Sequence, residues 1–299
     1  MKVWRIHIKP SIEEGLDRKK LLEFCQKEKL IGVGWTDIKT KENSEEAIRR
    51  EAQKYDDPRA AIKALNSMRK IQIDDLIWTR LENVYYLCRV TGLWENRNPN
   101  EQHLRFDISN YVNVEWLRIG AEQEVPGKVV SSFRPPAAVQ SIAEVEDISM
   151  YLWNMYSKID IYSIKKENID FWTVLSAESI EELVLLYLQV EKGFHIYSST
   201  VKYAFPTYEC QMVNNLGVMC FPQVKSGKET LNAENYMEAL CDYPNAEIYL
   251  FAVSEQYTFN DCGNIKFLYR KEIEKFILEH KEVIPKLTKY WIKLCGFFE

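Results

Sequence analysis

Long apolar runs are missing from this sequence: the longest, residues 183–188 and 216–221, fall far short of the roughly 18–20 residues a membrane-spanning helix needs. The opening MKVWRIHIKP alternates charged with apolar side chains and has no hydrophobic stretch of a signal peptide, so no secretory signal is expected. Glycine and proline are scarce, 11 and 10 in 299 residues, which excludes collagen-like, low-complexity and linker-dominated chains. Cysteine pairs are lacking too. The 7 cysteines are odd in number and form no C-x-x-C, and the 4 histidines sit at no ligand spacing. Free thiols in a reducing cytoplasm, and no structural zinc, are therefore expected. Nor does one sign of charge dominate: 39 Lys+Arg against 44 Asp+Glu give a net charge of −5. That excludes a binder driven by net charge, but not a nucleic-acid enzyme whose basic residues share one face.

What is plentiful is aromatic, with 8 Trp and 17 Tyr. The length suggests two domains at about 100–200 residues each. Residues 3–8 alternate as a strand does, and 12–30 read as a charged helical stretch ending in Leu30-Ile31-Gly32-Val33-Gly34-Trp35. Residues 36–57 are so polar that a solvated helix or loop is expected. Pro58 suits the first turn of a helix to about residue 68. IQIDDLIWTRL, NVYYLCRVTGLW and LRFDISNYVNVEWLRI then read as three or four strands without intervening helices, the pattern of a small barrel. After Pro135-Pro136, residues 137–156 carry helical spacing. This divides the chain into a first domain, 1–136, a helical linker, 137–165, and a second domain, 166–299.

The second domain has a different rhythm. Ser176-Ala177-Glu178-Ser179 opens a helix, and strands follow at 194–198, 207–213 and 218–224. A helix at 232–241, strands at 247–253 and 265–269, and one amphipathic C-terminal helix complete it. Gln223 and Lys225 fall on one side of the third strand, and Glu209 lies on the strand before it. A carboxylate and an amide oxygen suit Mg²⁺, and a lysine beside them suits phosphodiester hydrolysis. A Glu and a Lys on neighbouring strands also commonly form a plain surface pair.

The order αβββαβ, with Glu209, Gln223 and Lys225 so placed, resembles the PD-(D/E)XK nuclease core over residues 165–270. The likeness is to its Mrr-like branch, in which Gln replaces the second acid. The resemblance implies an α/β domain with a mixed central sheet, catalytic Glu209, Gln223 and Lys225, and Glu209 and Gln223 as ligands of Mg²⁺, with Mn²⁺ able to substitute. Glu182 is the candidate acid on the preceding helix, although Ser179-x-x-Glu182 also reads as a capping box. Ser199, in the turn after the first strand, is a candidate phosphate contact, and His195 reads as a strand residue.

In the first domain, Ile31 to Trp35, Asp75 to Arg80 and Tyr85 to Trp94 resemble the PUA superfamily, closest to EVE- and YTH-like domains. Such α+β barrels bind nucleic acid and can hold a flipped base between aromatic rings. The resemblance implies Trp35, Trp78 and Trp94 as base-binding residues, each stack worth ~1–3 kcal/mol, although packing is a tryptophan's usual fate. Arg80, Arg89, Arg97 and Arg105 are candidate phosphate contacts. Basic and acidic side chains are equal in number over residues 69–134, so any binding face comes from arrangement. Together the halves resemble bacterial modification-dependent restriction endonucleases, implying antiviral defence, modified double-stranded DNA as partner, no membrane, and a homodimer to cut both strands. A reader with an inactive nuclease core and an RNA-directed nuclease are the alternatives.

Overall fold

A computed structural model describes residues 1–8, 17–35, 38, 44–96, 105–200, 208–258 and 263–298; Arg97, Thr207 and Cys262 lie outside them. The chain is mixed α/β and divides into two units, Met1–Ile169 and Asp170–Glu299.

The first unit contains β1 (Val3–Ile6), α1 (Arg18–Lys27), β2 (Leu30–Val33), α2 (Glu45–Ala52), α3 (Pro58–Met68), β3 (Leu76–Leu81), β4 (Val84–Val90), β5 (Asn110–Gly120), α4 (Gly127–Ser132), β6 (Val139–Ile142) and α5 (Glu146–Ser157). Its six strands form one curled half-barrel sheet in the order β2-β5-β4-β3-β1-β6. β1 and β3 pair in parallel and the other neighbours antiparallel. Every residue of β1 is buried, so the strand's alternation does not mark a wet face: Arg5 is 0% exposed, its guanidinium donating to Ala137 O and, at 2.8 Å, to Gln140 Oε1.

One expectation for this unit is sharpened and one is corrected. Residues 45–52 form a helix whose charged face is solvated, but it is no mere surface element, because Ala47, Ile48 and Ala52 are buried, the last two beside Leu65 and Met68 of α3 in the core over Ile77 and Val112. The polar spelling of α2 serves its ends, where Ser44 Oγ accepts from Ala47 N at 3.2 Å and Glu45 and Glu46 occupy the first turn. Residues 137–165 are not a helical linker. β6 pairs with β1 from Val3↔Ile142 to Ile6↔Val139, and Ser149 of α5 accepts from Trp78 Nε1 at 3.0 Å, which makes both elements part of the unit's interior.

The second unit contains α6 (Phe171–Val174), α7 (Ala177–Val190), β7 (Phe194–Ile196), β8 (Met212–Asn214), β9 (Met219–Lys225), β10 (Leu231–Asn232), α8 (Met237–Asp242), β11 (Glu247–Ala252), β12 (Tyr257–Thr258), β13 (Ile265–Leu268), α9 (Arg270–Glu279) and α10 (Lys286–Leu294). Its main sheet runs β13-β11-β9-β8-β7. β7, β8 and β9 form an antiparallel meander, while β9, β11 and β13 are parallel. Phe221, Ile248 and Leu250 pack with Ala233 and Tyr236, and α7 packs along β9 and β7. The expected single C-terminal helix is two, since α9 ends at Glu279 and the next helix starts only after Pro285, which caps it. Among the described cysteines, all free, only Cys241 is exposed. No helix among the described residues is long and apolar enough to cross a membrane.

Candidate functional site

β9 carries Pro222, Gln223 and Lys225 between two parallel or antiparallel neighbours, with Gln223 opposite Leu250 and Lys225 opposite Ala252. Glu209 lies in the bend just before β8 and is strapped across β9. Its backbone N donates to Pro222 O at 2.9 Å, and its carboxylate Oε1 accepts from Val224 N at 3.2 Å and from the Gln223 amide. Gln223 is 5% exposed and Glu209 half-buried, so this amide–carboxylate contact is partly shielded from water. Lys225 ends the strand half-buried, and among the described residues no carboxylate pairs with its ammonium. The structure thus brings Glu209 and Gln223 into contact and places Lys225 two positions further along β9, on the Gln223 side of the strand.

Of the two neighbouring glutamates on α7, Glu181 and not Glu182 lies near Glu209. Half-buried Glu181 is held above the usual carboxylate range, first by burial and next by the negative charge of Glu209. The Cys210 thiol, pushed up to about 12 by burial, feels both carboxylates. Glu182, one residue and about 100° further round α7, is exposed. It caps nothing: the N-cap is Ser176, whose Oγ accepts from Ser179 N at 3.1 Å, so the sequence signature was in the wrong register. The signal for Glu181 was present in its spacing to Leu185 and Leu188, which puts an acid on the buried stripe of the helix. Oε2 of Glu209 and both oxygens of Glu181 take no hydrogen bond from any described residue. Two carboxylates with free hard oxygens and a neighbouring amide form a donor set suited to Mg²⁺.

Ser199 is exposed in the turn after β7, with no hydrogen bond among the described residues. His195 is an exposed strand residue beside Asn215 Oδ1, at 3.2 Å, as expected. Among the described residues, Glu191, Glu279 and His280 form another group that could hold a cation, at the ends of α7 and α9.

In the first unit the tryptophans separate. Trp78 is 0% exposed and bonded to Ser149, so its ring has no face to offer a base; this expectation is overturned. Trp35 is half-buried, follows β2 and sits at φ 63°, a left-handed conformation costly for a bulky residue. Asn110, 0% exposed at the start of β5, holds that turn by donating Nδ2 to Gly34 O at 2.7 Å and to Trp35 O at 3.3 Å. Glycine is required at Gly32, where a Cβ would meet the backbone O of Asn110 at 2.2 Å, whereas at Gly34 it would meet only the Asp107 carboxylate.

Trp94 comes to the same place through the bridge Glu95↔Tyr111, which turns residues 94 and 96 onto the face of Asn110 and Val112. Trp35 and Trp94 both pack against the core cluster containing Val112. Trp94 Nε1, Asn96 Nδ2 and Asn110 Oδ1 are buried and take no hydrogen bond among the described residues. Such orphans are rare in folded proteins and call for a ligand or water. Asn96 and Asn110 were missed in the sequence because nothing local distinguishes them from turn and strand-end asparagines.

The arginines also separate. Arg89 is spent: its guanidinium donates to Glu115 at 2.9 Å and to Asp74 at 2.6 Å, which leaves little for a phosphate and corrects that expectation. Arg80 stays available, bonded among the described residues only to the Tyr85 hydroxyl at 3.1 Å. Arg105 is exposed. In comparison with known proteins, no family model matches the chain, and no curated protein matches it.

Proposed function

We propose that the chain is a modification-dependent DNA endonuclease, its first unit a PUA/EVE-like reader of a modified base and its second a Mrr-like PD-(D/E)XK nuclease. The observation that carries this reading is the contact of Glu209 with Gln223 and its electrostatic coupling to Glu181, with Lys225 two positions beyond Gln223 on β9. The order of α7, the β7–β8–β9 meander, α8 and β11 supports it. Glu209, Glu181 and the Gln223 amide oxygen would hold Mg²⁺. When bound, the ion supplies charge stabilisation at the phosphate and a more acidic water. Lys225 orients the attacking water, helps take its proton and offsets charge on the phosphate. Glu209, anchored by the backbone N of Val224, keeps the acid against the strand that carries Lys225 without relying on rotamer chance. Two copies would provide a centre for each strand.

In the first unit, an extruded base would stack on Trp35 and Trp94. Its edge would accept from Trp94 Nε1 and Asn96 Nδ2 and donate to Asn110 Oδ1, satisfying all three orphans. One observation favours a reader with a silent core instead: the Gln223 amide donates to Glu209 and so occupies a carboxylate oxygen. The deciding experiment incubates the protein with DNA and RNA panels carrying different base modifications, with Mg²⁺ and with chelator. Cleavage of one modified DNA in Mg²⁺ alone is the expected result. Selective binding without cleavage would select the silent reader, and preference for RNA the RNA-directed enzyme.

A further inference from the structure

A cavity of about 610 Å³ in the first unit is lined by His7, Asp17, Arg18, Lys19, Arg80 and Glu82, among others. Topology sets it apart from the tryptophans. β1 and β3 run parallel and finish at this end, whereas β2 and β4 finish, and β5 starts, at the end holding Trp35, Trp94 and Asn110.

Arg80, Arg18 and Lys19 line the cavity with the acids Asp17 and Glu82, and Arg5 lies buried behind it, sharing the Phe133 ring with Arg80. The Arg5 and Arg80 guanidiniums lie 5.6 and 5.4 Å from the centroid of the Phe133 ring, and His7 meets that ring edge-on at 5.1 Å. Both arginines donate to neutral oxygens, of Ala137, Gln140 and Tyr85, and no described carboxylate pairs with either. Arg89 in the same unit shows the ordinary solution, two carboxylates on one guanidinium. Arg5 Nε is moreover buried with no partner. Buried cations are normally paired, and burial alone draws Arg5 down to about 10. Of the two acids in the wall, Asp17 is committed to capping α1 through Lys20 N at 2.8 Å, and Glu82 is exposed in the β3–β4 turn.

We propose that this cavity binds a phosphate monoester of nucleotide size, with Arg80 meeting the phosphate and Arg18 and Lys19 closing the mouth. The volume falls in the roughly 300–1,000 Å³ range of sites for discrete small ligands rather than that of an open track for a duplex. A planar guanidinium already stacked on Tyr85 and Phe133 loses little freedom on binding, and a dianion answers more than one cation. A free nucleotide and the phosphorylated end of a nucleic-acid strand share this chemistry.

Calorimetry and thermal shift on the full chain test it, with adenosine 5′-monophosphate, adenosine, and a short oligonucleotide with and without a 5′-phosphate. The phosphorylated probes should bind and raise Tm, their unphosphorylated counterparts should not, and Arg80→Ala should weaken binding about tenfold or more. Because Arg80 packs on aromatic rings, Arg18→Ala with Lys19→Ala at exposed positions gives a second handle, expected to weaken binding several-fold while leaving the ligand-free Tm unchanged. Tighter binding of the mononucleotide identifies a free nucleotide, and tighter binding of the phosphorylated oligonucleotide identifies a strand end. Indifference to the phosphate, or affinity that survives both variants, overturns the proposal. Trp35→Ala should leave this binding untouched, so its outcome is separable from that of the base pocket.

Discussion

In the first unit Trp94 Nε1, Asn96 Nδ2 and Asn110 Oδ1 are buried with no partner among the described residues, whereas in the second the buried Gln223 amide bonds the half-buried Glu209 carboxylate. The second site has its hydrogen bonds and carries an excess of charge instead, with Glu181 pushed toward protonation by burial and by Glu209. The difference separates two kinds of recognition. A neutral pocket with fixed donors and an acceptor discriminates by matching an edge, because a wrong ligand leaves buried groups unpaired. A pair of carboxylates discriminates by charge and takes whichever hard cation neutralises it.

The sharpest way to break the comparison is to exchange its tryptophans. Trp78→Ala should cost about 3–5 kcal/mol of stability, because it empties a fully buried site beside α5 and strands Ser149. Trp35→Ala should lower Tm much less than Trp78→Ala, since Trp35 is only half-buried and alanine keeps the same left-handed backbone, but should lower affinity for modified DNA roughly ten- to hundredfold. Melting curves and affinities for modified and unmodified DNA on both variants decide. If Trp35→Ala melts early and loses all binding alike, the ring is core and the pocket lies elsewhere.

Next in size is Lys225→Ala, which should slow cleavage about 10²–10³-fold while modified DNA still binds. Undiminished cleavage by the purified variant would remove the nuclease assignment altogether. Trp94→Phe tests a single orphan. It keeps a ring for stacking but deletes the buried N–H, so base affinity should fall about tenfold while stability holds or rises. A loss of stability instead would mean that Nε1 has a partner in the folded state.

Much of this was legible in the sequence where a local pattern decides the outcome. Gln223 and Lys225 share a face because strands have period two, and Glu209 reaches Gln223 because the meander is short. The Pro58 helix start and the Glu82 turn are equally local. What was not legible is tertiary. Ile48 and Ala52 are a small fraction of a polar stretch, yet they give α2 its buried face. Val139 to Ile142 has spacing that fits a helix, and only the free edge of β1 makes it a strand. Glu181 and Glu182 differ by one position, and the buried stripe of α7, read at Leu185 and Leu188, chooses between them. Trp78 and Trp35 are indistinguishable by type and neighbours. Burial alone sorts them.

The smallest expected effect is the most specific to the charge excess. Glu181 is held above the usual carboxylate value in the folded chain, so folding favours its protonated form. Its contribution to stability is full below the ordinary carboxylate range and is lost as pH rises through the raised folded value; above that it is a standing penalty. Glu181→Gln removes that penalty. The variant should therefore melt about one to three degrees higher than the parent at pH 8 without divalent cation, and at the same temperature near pH 4. Mg²⁺ works in the opposite direction, neutralising Glu181 and Glu209 where they are ionised, so it should stabilise the parent more at pH 8 than at pH 5, and the variant less than the parent at either. Melting curves across this grid of pH and Mg²⁺ check both signs. A variant that melts lower than the parent at pH 8, with an unchanged response to Mg²⁺, would show that Glu181 is fixed by partners of its own and has no part in holding a cation beside β9.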